Sequence, residues 1–375
     1  MTRLRRAFAN PVLQRELLER WRGRRAFVVI TIYVGLLAGI MRLLWWMGNS
    51  VLEQSMRFGG FDQIAAGPAL GRFMFENLLA FVLLLVLFVA PGYAAAQISG
   101  ERERKTLGLL QITLVRPWQI VAGKLGSSIA WLLLLVVTSL PFAATAFLLG
   151  GVTLPDMIRG YAMVLLLAIA IAGIAIGISS LTRRTTAAVV MTYGVVLALV
   201  IGTLLGAAVE AVFRRFDVGP GNPPLALYAN PYYGLADAAR ADQFRFFGGG
   251  ELPSVLTPFA TVLPGRDLVF AEPGIVVVED GFGGEAVRQV PDFGGGAPGE
   301  QRQPVWLITL GLHLVLGAVG FAFATSRVRP ENTPLLVRRA RRKDEDVRGR
   351  TPADPADPAA DADHAEPDDT LTRQT

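Results

Sequence analysis

Long apolar blocks dominate the chain, and six of them are each about 20 residues or longer. A helix of about 20 apolar residues crosses the roughly 30 Å hydrocarbon core of a bilayer. Backbone polar groups find no water inside that core, so segments that cross it are helical. The pattern therefore predicts an all-α integral membrane protein with six transmembrane helices. The predicted spans are residues 26–46, 73–96, 126–149, 157–181, 187–213 and 304–325.

The composition agrees with a membrane protein. Hydrophobic residues make up 52% of the 375 positions, and the mean hydropathy is +0.43, which is high for a soluble chain of this length. The chain has no cysteine, which excludes disulfides, cysteine-ligated iron–sulfur clusters and thiol catalysis.

The charge distribution predicts the topology. Four cationic segments lie on the same side if the six helices alternate in direction, and the positive-inside rule assigns that side to the cytosol. The long segment between the fifth and sixth blocks carries seven Arg against eleven Asp or Glu and falls on the other side. Both termini are therefore predicted to be cytosolic. The cationic segments are residues 1–25, 98–125, 183–184 and 326–343.

The two terminal segments are far more polar than the apolar blocks. Residues 1–25 combine an apolar stripe with charged positions, which predicts an amphipathic helix on the inner membrane surface. The alternative is a solvated basic anchor that only sets the orientation. Residues 326–375 begin with a basic run and continue into repeated Pro, Ala and Asp, which cannot bury a core. We expect a basic, then acidic, disordered cytosolic tail.

Residues 214–303 are too long for a passive connection between two spans. Within them, residues 275–279 followed by Asp280-Gly281 predict a strand and a turn. Tyr228, Tyr232 and Tyr233 are predicted to lie at the membrane interface as an aromatic belt. We expect a small, partly ordered extracytoplasmic subdomain of mixed secondary structure.

His313 lies in the middle of the sixth block and is the candidate intramembrane site, because ionisable groups inside a membrane often serve function. The alternative is a neutral His that bonds to a neighbouring helix or lines a wet cavity. A lone His makes no metal site, so we predict no metal ligands and no catalytic residues. Three further charged residues near outer span ends are expected to extend to the interface: Arg42, Glu76 and Glu210.

Residues 98–125, the connector, join the second and third blocks and contain a dense charge cluster. Ser99 is predicted to cap a short helix parallel to the membrane, and Glu101 to pair with Lys105 four residues later. Pro117 suits the first turn of the helix that enters the third span. The Gly123-Lys124 pair is followed by Leu125 and has no Gly five residues upstream, so the chain lacks the nucleotide-binding P-loop.

Several short stretches of the chain resemble the permease subunits of ABC-2-type transporters. In the connector these are Gly100-Glu101-Arg102-Glu103-Arg104, Thr106-Leu107, Leu110, Thr113, Pro117, Ile120-Val121 and Gly123-Lys124-Leu125. Asn10-Pro11 with Arg15-Glu16, and Asn230-Pro231-Tyr232-Tyr233, are also similar to family stretches. Lys105, Gly108 and Leu114 differ from the usual family residues.

The resemblance implies a permease without catalysis or cofactor of its own, which forms the transmembrane path in the plasma (inner) membrane of a bacterium, with export as the expected direction. The expected partners are a separate ATP-binding subunit that holds the ATP, a second permease subunit and the lipid bilayer, and no nucleic acid. The connector then acts as a coupling helix that docks on the ATP-binding subunit. The alternatives are a non-transporting scaffold of the cell envelope and a membrane enzyme. The implied coupling residues are Glu101, Arg102, Glu103, Arg104, Thr106 and Leu107.

Overall fold

The computed structural model describes residues 24–57, 63–106, 117–215, 222–240, 252–263, 273–279, 285–291 and 304–328. Most of the predicted amphipathic helix over residues 1–25, Leu107 in the connector and the predicted tail beyond residue 328 lie outside the described residues.

Helices make up most of the described chain. They are α1 (Arg24–Arg57), α2 (Gln63–Ala94), α3 (Ala96–Glu103), α4 (Pro117–Leu148), α5 (Leu154–Leu181), α6 (Thr185–Leu197), α7 (Thr203–Phe213), α8 (Pro231–Ala239), α9 (Thr257–Ala260) and α10 (Val305–Arg327). A π-helical turn (Ala198–Gly202) links α6 to α7, and a 3-10 turn (Leu225–Ala229) precedes α8. The strands β1 (Pro273–Glu279) and β2 (Glu285–Pro291) pair antiparallel, with Val277 opposite Val287.

Six stretches of the described chain are long and apolar enough to cross a membrane, in agreement with the six predicted spans. The second stretch continues through the start of the connector, and the third begins at Pro117 as predicted. Both helices are therefore longer than the apolar blocks from which they were predicted. In order they are Phe27–Arg57, Ala66–Glu103, Pro117–Leu148, Leu154–Leu181, Thr185–Phe213 and Val305–Arg327.

Spans two and four form the centre of the bundle. In the most apolar 18-residue stretch of each span, 72% of the residues of span two and 67% of those of span four are buried, against 11% for span five at the periphery. Helix α2 packs against α1, α4 and α5, and α10 packs along α5. The buried face of the bundle is therefore built around two central helices, and span five leaves most of its apolar surface uncovered.

Glycines bring α5 and α10 into close contact. A Cβ atom added at Gly173 would lie 2.7 Å from the carbonyl oxygen of Gly317, and one added at Gly320 would lie 2.5 Å from that of Gly173. A Cβ atom added at Gly177 would likewise lie 2.7 Å from the Cα of Gly320. Only glycine permits this approach, which gains backbone packing where lipid offers no hydrophobic drive for helix association.

The segment before the sixth span packs into one end of the bundle. Every residue of α8 is buried, and α8 contacts α5 and α10. The Asn230 side chain caps α8 by accepting a hydrogen bond from the Tyr232 amide at 2.9 Å, and it donates to the Val200 carbonyl at 2.9 Å and the Thr203 hydroxyl at 2.8 Å. Val200 lies in the π-helical turn, where the wider helix leaves a carbonyl able to accept this bond.

The interface prediction for the tyrosines is wrong for two of them. Tyr233 is fully buried, and its hydroxyl donates to the Val262 carbonyl at 3.1 Å. Tyr232 is also buried and stacks on Phe259, and burial raises the pKa of its phenol to about 12. Tyr228 remains half-buried, and its pKa is raised by burial and by the nearby Asp237 carboxylate. Aromatic residues suit an interface and a core equally, and here the caps and contacts of α8 direct them inward.

Candidate functional site

The connector begins as an extension of the second span. Ala95 between α2 and α3 keeps helical angles (φ −66°, ψ −26°), and its amide donates to the Pro91 carbonyl at 2.9 Å. Ser99 is therefore not an N-cap, because the helix does not begin there. Its hydroxyl donates to the Ala95 carbonyl at 2.9 Å instead. The predicted separate surface helix is replaced, over residues 96–103, by a continuation of the spanning helix.

Buried hydroxyl groups fasten α3 to the neighbouring spans. The amides of Ile98 and Ser99 donate to Ser179 Oγ on α5, at 3.1 and 2.9 Å. Gln97 donates to Ser128 Oγ on α4 at 3.3 Å. These bonds fix the root of the connector before its charged cluster begins.

Glu101 joins the connector to the third span. Its Oε1 lies 3.1 Å from Nζ of Lys124, which is almost fully buried on α4. The Thr106 hydroxyl donates to the same carboxylate, and the Thr106 amide donates to the Glu101 carbonyl at 2.9 Å. The predicted partner of Glu101, Lys105, leaves the helix with a φ of 59°. The pair therefore forms across two spans instead of along one helix.

Arg102 and Glu103 bind the ends of the next two spans. Arg102 donates to the carbonyls of Ser180 and Thr182 at 3.0 and 3.1 Å, which satisfies acceptors at the C-terminal end of α5. Glu103 accepts from the amide of Thr185 at 3.1 Å and from its hydroxyl, at the N-terminal end of α6. Three consecutive charged residues thus contact spans three, four and five in turn.

Arg104 and Lys105 point to the surface. Both are exposed, and within the described chain the Arg104 guanidinium forms no hydrogen bond, although its charge attracts the neighbouring Glu101 and Glu103 carboxylates. Of the predicted coupling residues, Glu101 and Thr106 contact each other, Arg102 and Glu103 bond to other helices, and Arg104 is exposed. The last predicted coupling residue, Leu107, lies outside the described residues.

A second charged cluster lies at the opposite end of the bundle, and only one of its pairs, Arg72 with Glu76 four residues later, has a local spacing that sequence reasoning could have used. Glu76 on α2 is 1% exposed, and its carboxylate accepts bonds from Arg72 Nε at 2.9 Å, from Arg240 and from the Ser254 hydroxyl. Next to it, Asn77 Oδ1 accepts from the Val255 amide at 3.1 Å. Glu76 does not extend to the interface as predicted, because its partners lie within the bundle.

His313 is fully buried on α10. Its Nδ1 lies 2.7 Å from the Thr309 carbonyl, so Nδ1 carries the proton and donates. Its Nε2 has no hydrogen-bond partner among the described residues. No group of three or more His, Cys, Asp or Glu that would hold a metal ion occurs in the described ranges. His313 therefore stands apart from both charged clusters.

The comparisons with known proteins concern the same part of the chain. The model of the ABC-2 family transporter protein matches residues 10–230, more than half of the chain. The match covers the first five spans and the connector, and it ends at Asn230, the cap of α8. A comparison with curated proteins finds no match. The chain belongs to the ABC-2 transporter family, as a multi-pass membrane protein of the permease type.

Proposed function

We propose that the chain is the permease subunit of an ABC transporter and that the connector couples it to a separate ATP-binding subunit. One observation carries the coupling role: Glu101, Arg102 and Glu103 each contact a different span, while Arg104 and Lys105 beside them stay exposed. A surface contact at this point acts on four spans at once, because the connector itself continues span two.

The coupling residues divide into two groups in this proposal. Arg104 and Lys105, with Leu107 beyond them, dock on the ATP-binding subunit. Glu101, Arg102 and Glu103 transmit the displacement, because their bonds hold the connector to the bundle, and Thr106 fixes the Glu101 carboxylate within the connector. Rigid elements with two discrete arrangements transmit motion between sites in this way.

The wider assignment rests on the family and on charge. The cationic segments support cytosolic termini and a cytosolic connector in the plasma membrane of a bacterium. We propose export as the direction, a second permease subunit as the partner that completes the path, and ATP bound only by the ATP-binding subunit. The shortage of charged residues inside the spans suits an apolar or amphipathic substrate.

Reversing the exposed charges tests docking. Arg104→Glu together with Lys105→Glu is expected to reduce recovery of the ATP-binding subunit with the tagged permease by about tenfold or more, because the contact becomes repulsive. The matched control is Arg57→Glu, an exposed cation at the opposite end of the bundle, which should leave recovery unchanged. Normal recovery with the double variant contradicts docking here. Failure of the wild-type permease to retain any ATP-binding subunit favours the scaffold alternative.

Arg102→Gln tests transmission separately from docking. Because Arg102 bonds to α5 and not to the exposed surface, the variant should still recover the ATP-binding subunit. It is expected to lower transport by the reconstituted complex several-fold, since a neutral side chain holds two carbonyls less strongly than a cation does. Transport at the wild-type rate, with the complex intact, would show that span four receives its displacement by another route.

A further inference from the structure

A cavity of about 820 Å³ lies between spans two and five, next to the connector. Phe88 and Tyr93 line its α2 side, and Tyr193 faces them from α6. The connector and the start of α6 line one end of it. A volume of this size accommodates one small ligand, in a site with apolar walls and a few polar groups.

The lining changes from aromatic to ionic along α2 and α3. Phe88 and Tyr93 come first, Gln97 follows, and Glu103 and Arg104 are last. The distance from residue 88 to residue 104 is about 24 Å along a helix. That length matches a short apolar chain followed by a charged head group, so the cavity suits an amphiphile.

The aromatic part is held in place before any ligand binds. The Tyr193 hydroxyl donates to the Phe88 carbonyl at 2.7 Å, and the two rings lie 5.7 Å apart. Tyr93 stacks on Trp131 at 5.8 Å. A preformed wall reduces the entropy lost on binding.

The ionic part leaves two charged groups open. Glu101 and Lys124 satisfy each other, and Thr185 binds only Oε2 of Glu103. Glu103 Oε1 and the Arg104 guanidinium therefore form no hydrogen bond within the described chain, and the only charge interaction between them is their attraction for each other across an exposed surface. One open carboxylate oxygen beside one open guanidinium complements a head group with both a cation and an anion, since guanidinium binds phosphate and carboxylate binds ammonium.

We propose that this cavity binds a zwitterionic amphiphile, a single-chain lipid whose head group carries a phosphate and an amine. That this molecule is also transported rests on the proposed function, whereas binding requires the permease alone and uses Arg104 when it is not docked on the ATP-binding subunit.

The absence of cysteine gives a direct binding test on the full chain in uncharged maltoside micelles, without the ATP-binding subunit. Ala96→Cys places one thiol in the cavity lining, and Gly39→Cys places one on α1, away from the cavity. Lysophosphatidylethanolamine is expected to slow maleimide labelling at position 96 by about tenfold. Lysophosphatidylglycerol and an alkyltrimethylammonium of equal chain length should slow it less than about twofold, and labelling at position 39 should not change.

Two further variants test whether Glu103 and Arg104 recognise the head group, in a way that loss of protein stability would not imitate. In the Ala96→Cys background, Glu103→Gln should make the anionic lysolipid protect as well as the zwitterion, and Arg104→Gln should do the same for the cationic amphiphile. Equal protection by all three head groups, or unchanged selectivity in both variants, would overturn the proposal. Such results leave the permease assignment standing, because recovery of the ATP-binding subunit tests it independently.

Discussion

Glu76→Gln is expected to lower the free energy of unfolding by about 3–5 kcal/mol, because it removes a buried carboxylate that accepts bonds from Arg72, Arg240 and Ser254. Glu76 and Arg240 are 1% and 2% exposed, and their contact joins α2 to the segment before the sixth span. The Ser254 hydroxyl binds the same carboxylate oxygen, so the change also weakens a second bond. Chemical unfolding of the purified permease in mixed micelles measures the loss.

A matched replacement and a double variant complete this experiment. Glu210→Gln breaks a pair with Arg214 that is partly exposed, so its cost should stay below about 1 kcal/mol. Adding Arg240→Met to Glu76→Gln removes both buried charges and should recover at least about 1 kcal/mol relative to the single variant. Equal costs for Glu76→Gln and Glu210→Gln would show that the buried pair does not stabilise the fold.

Gly320→Leu is expected to cost about 3 kcal/mol or more, because α5 and α10 must separate to admit the side chain. Even a Cβ atom there would lie 2.5 Å from the Gly173 carbonyl oxygen, which is backbone and has no alternative rotamer. Gly320→Ala should already cost about 1–3 kcal/mol. Thermal unfolding of the detergent-solubilised variants shows whether the leucine variant loses more stability than the alanine variant.

Gly39→Ala and Gly39→Leu are the controls, because nothing lies within 4 Å of a Cβ at that position on α1. Alanine there should be neutral or stabilise the helix by up to about 1 kcal/mol, since glycine is a poor helix former. If the alanine variants at 39 and 320 melt alike, the close contact between α5 and α10 does not hold in the micelle.

Hydropathy predicts the six spans because membrane crossing depends on the local run of apolar residues. The start of the third helix at Pro117 is also local, since proline suits a first turn. The contacts of the charged residues are not local. Arg102 bonds to residues about 80 positions away, and Glu76 binds Arg240 across 164 positions. Spacing within one helix favours Lys105 as the partner of Glu101, and only the packing of α4 brings Lys124 closer.

The candidate site shows the same division. The charge cluster marks the connector as unusual, and its sequence alone indicates a docking surface. Whether a given residue faces outward depends on where α5 and α6 end. Arg102 and Glu103 lie beside those helix ends, whose open carbonyls and amides attract a cation and an anion respectively. Without the positions of those helix ends, the sequence alone could not separate the residues that face outward from the residues that bond to other spans.

The continuation of span two into the connector, with helical geometry at Ala95 between α2 and α3, has a mechanical consequence. Glu76 and Glu101 stand 25 residues apart on it, which is about 37 Å along the axis. If this rod tilts by about 5° about one of these points, the other moves by about 3 Å, which is the length of a hydrogen bond. A tilt of this size about the Glu101 end would therefore be enough to separate the buried Glu76 carboxylate from Arg240 at the opposite end of the bundle.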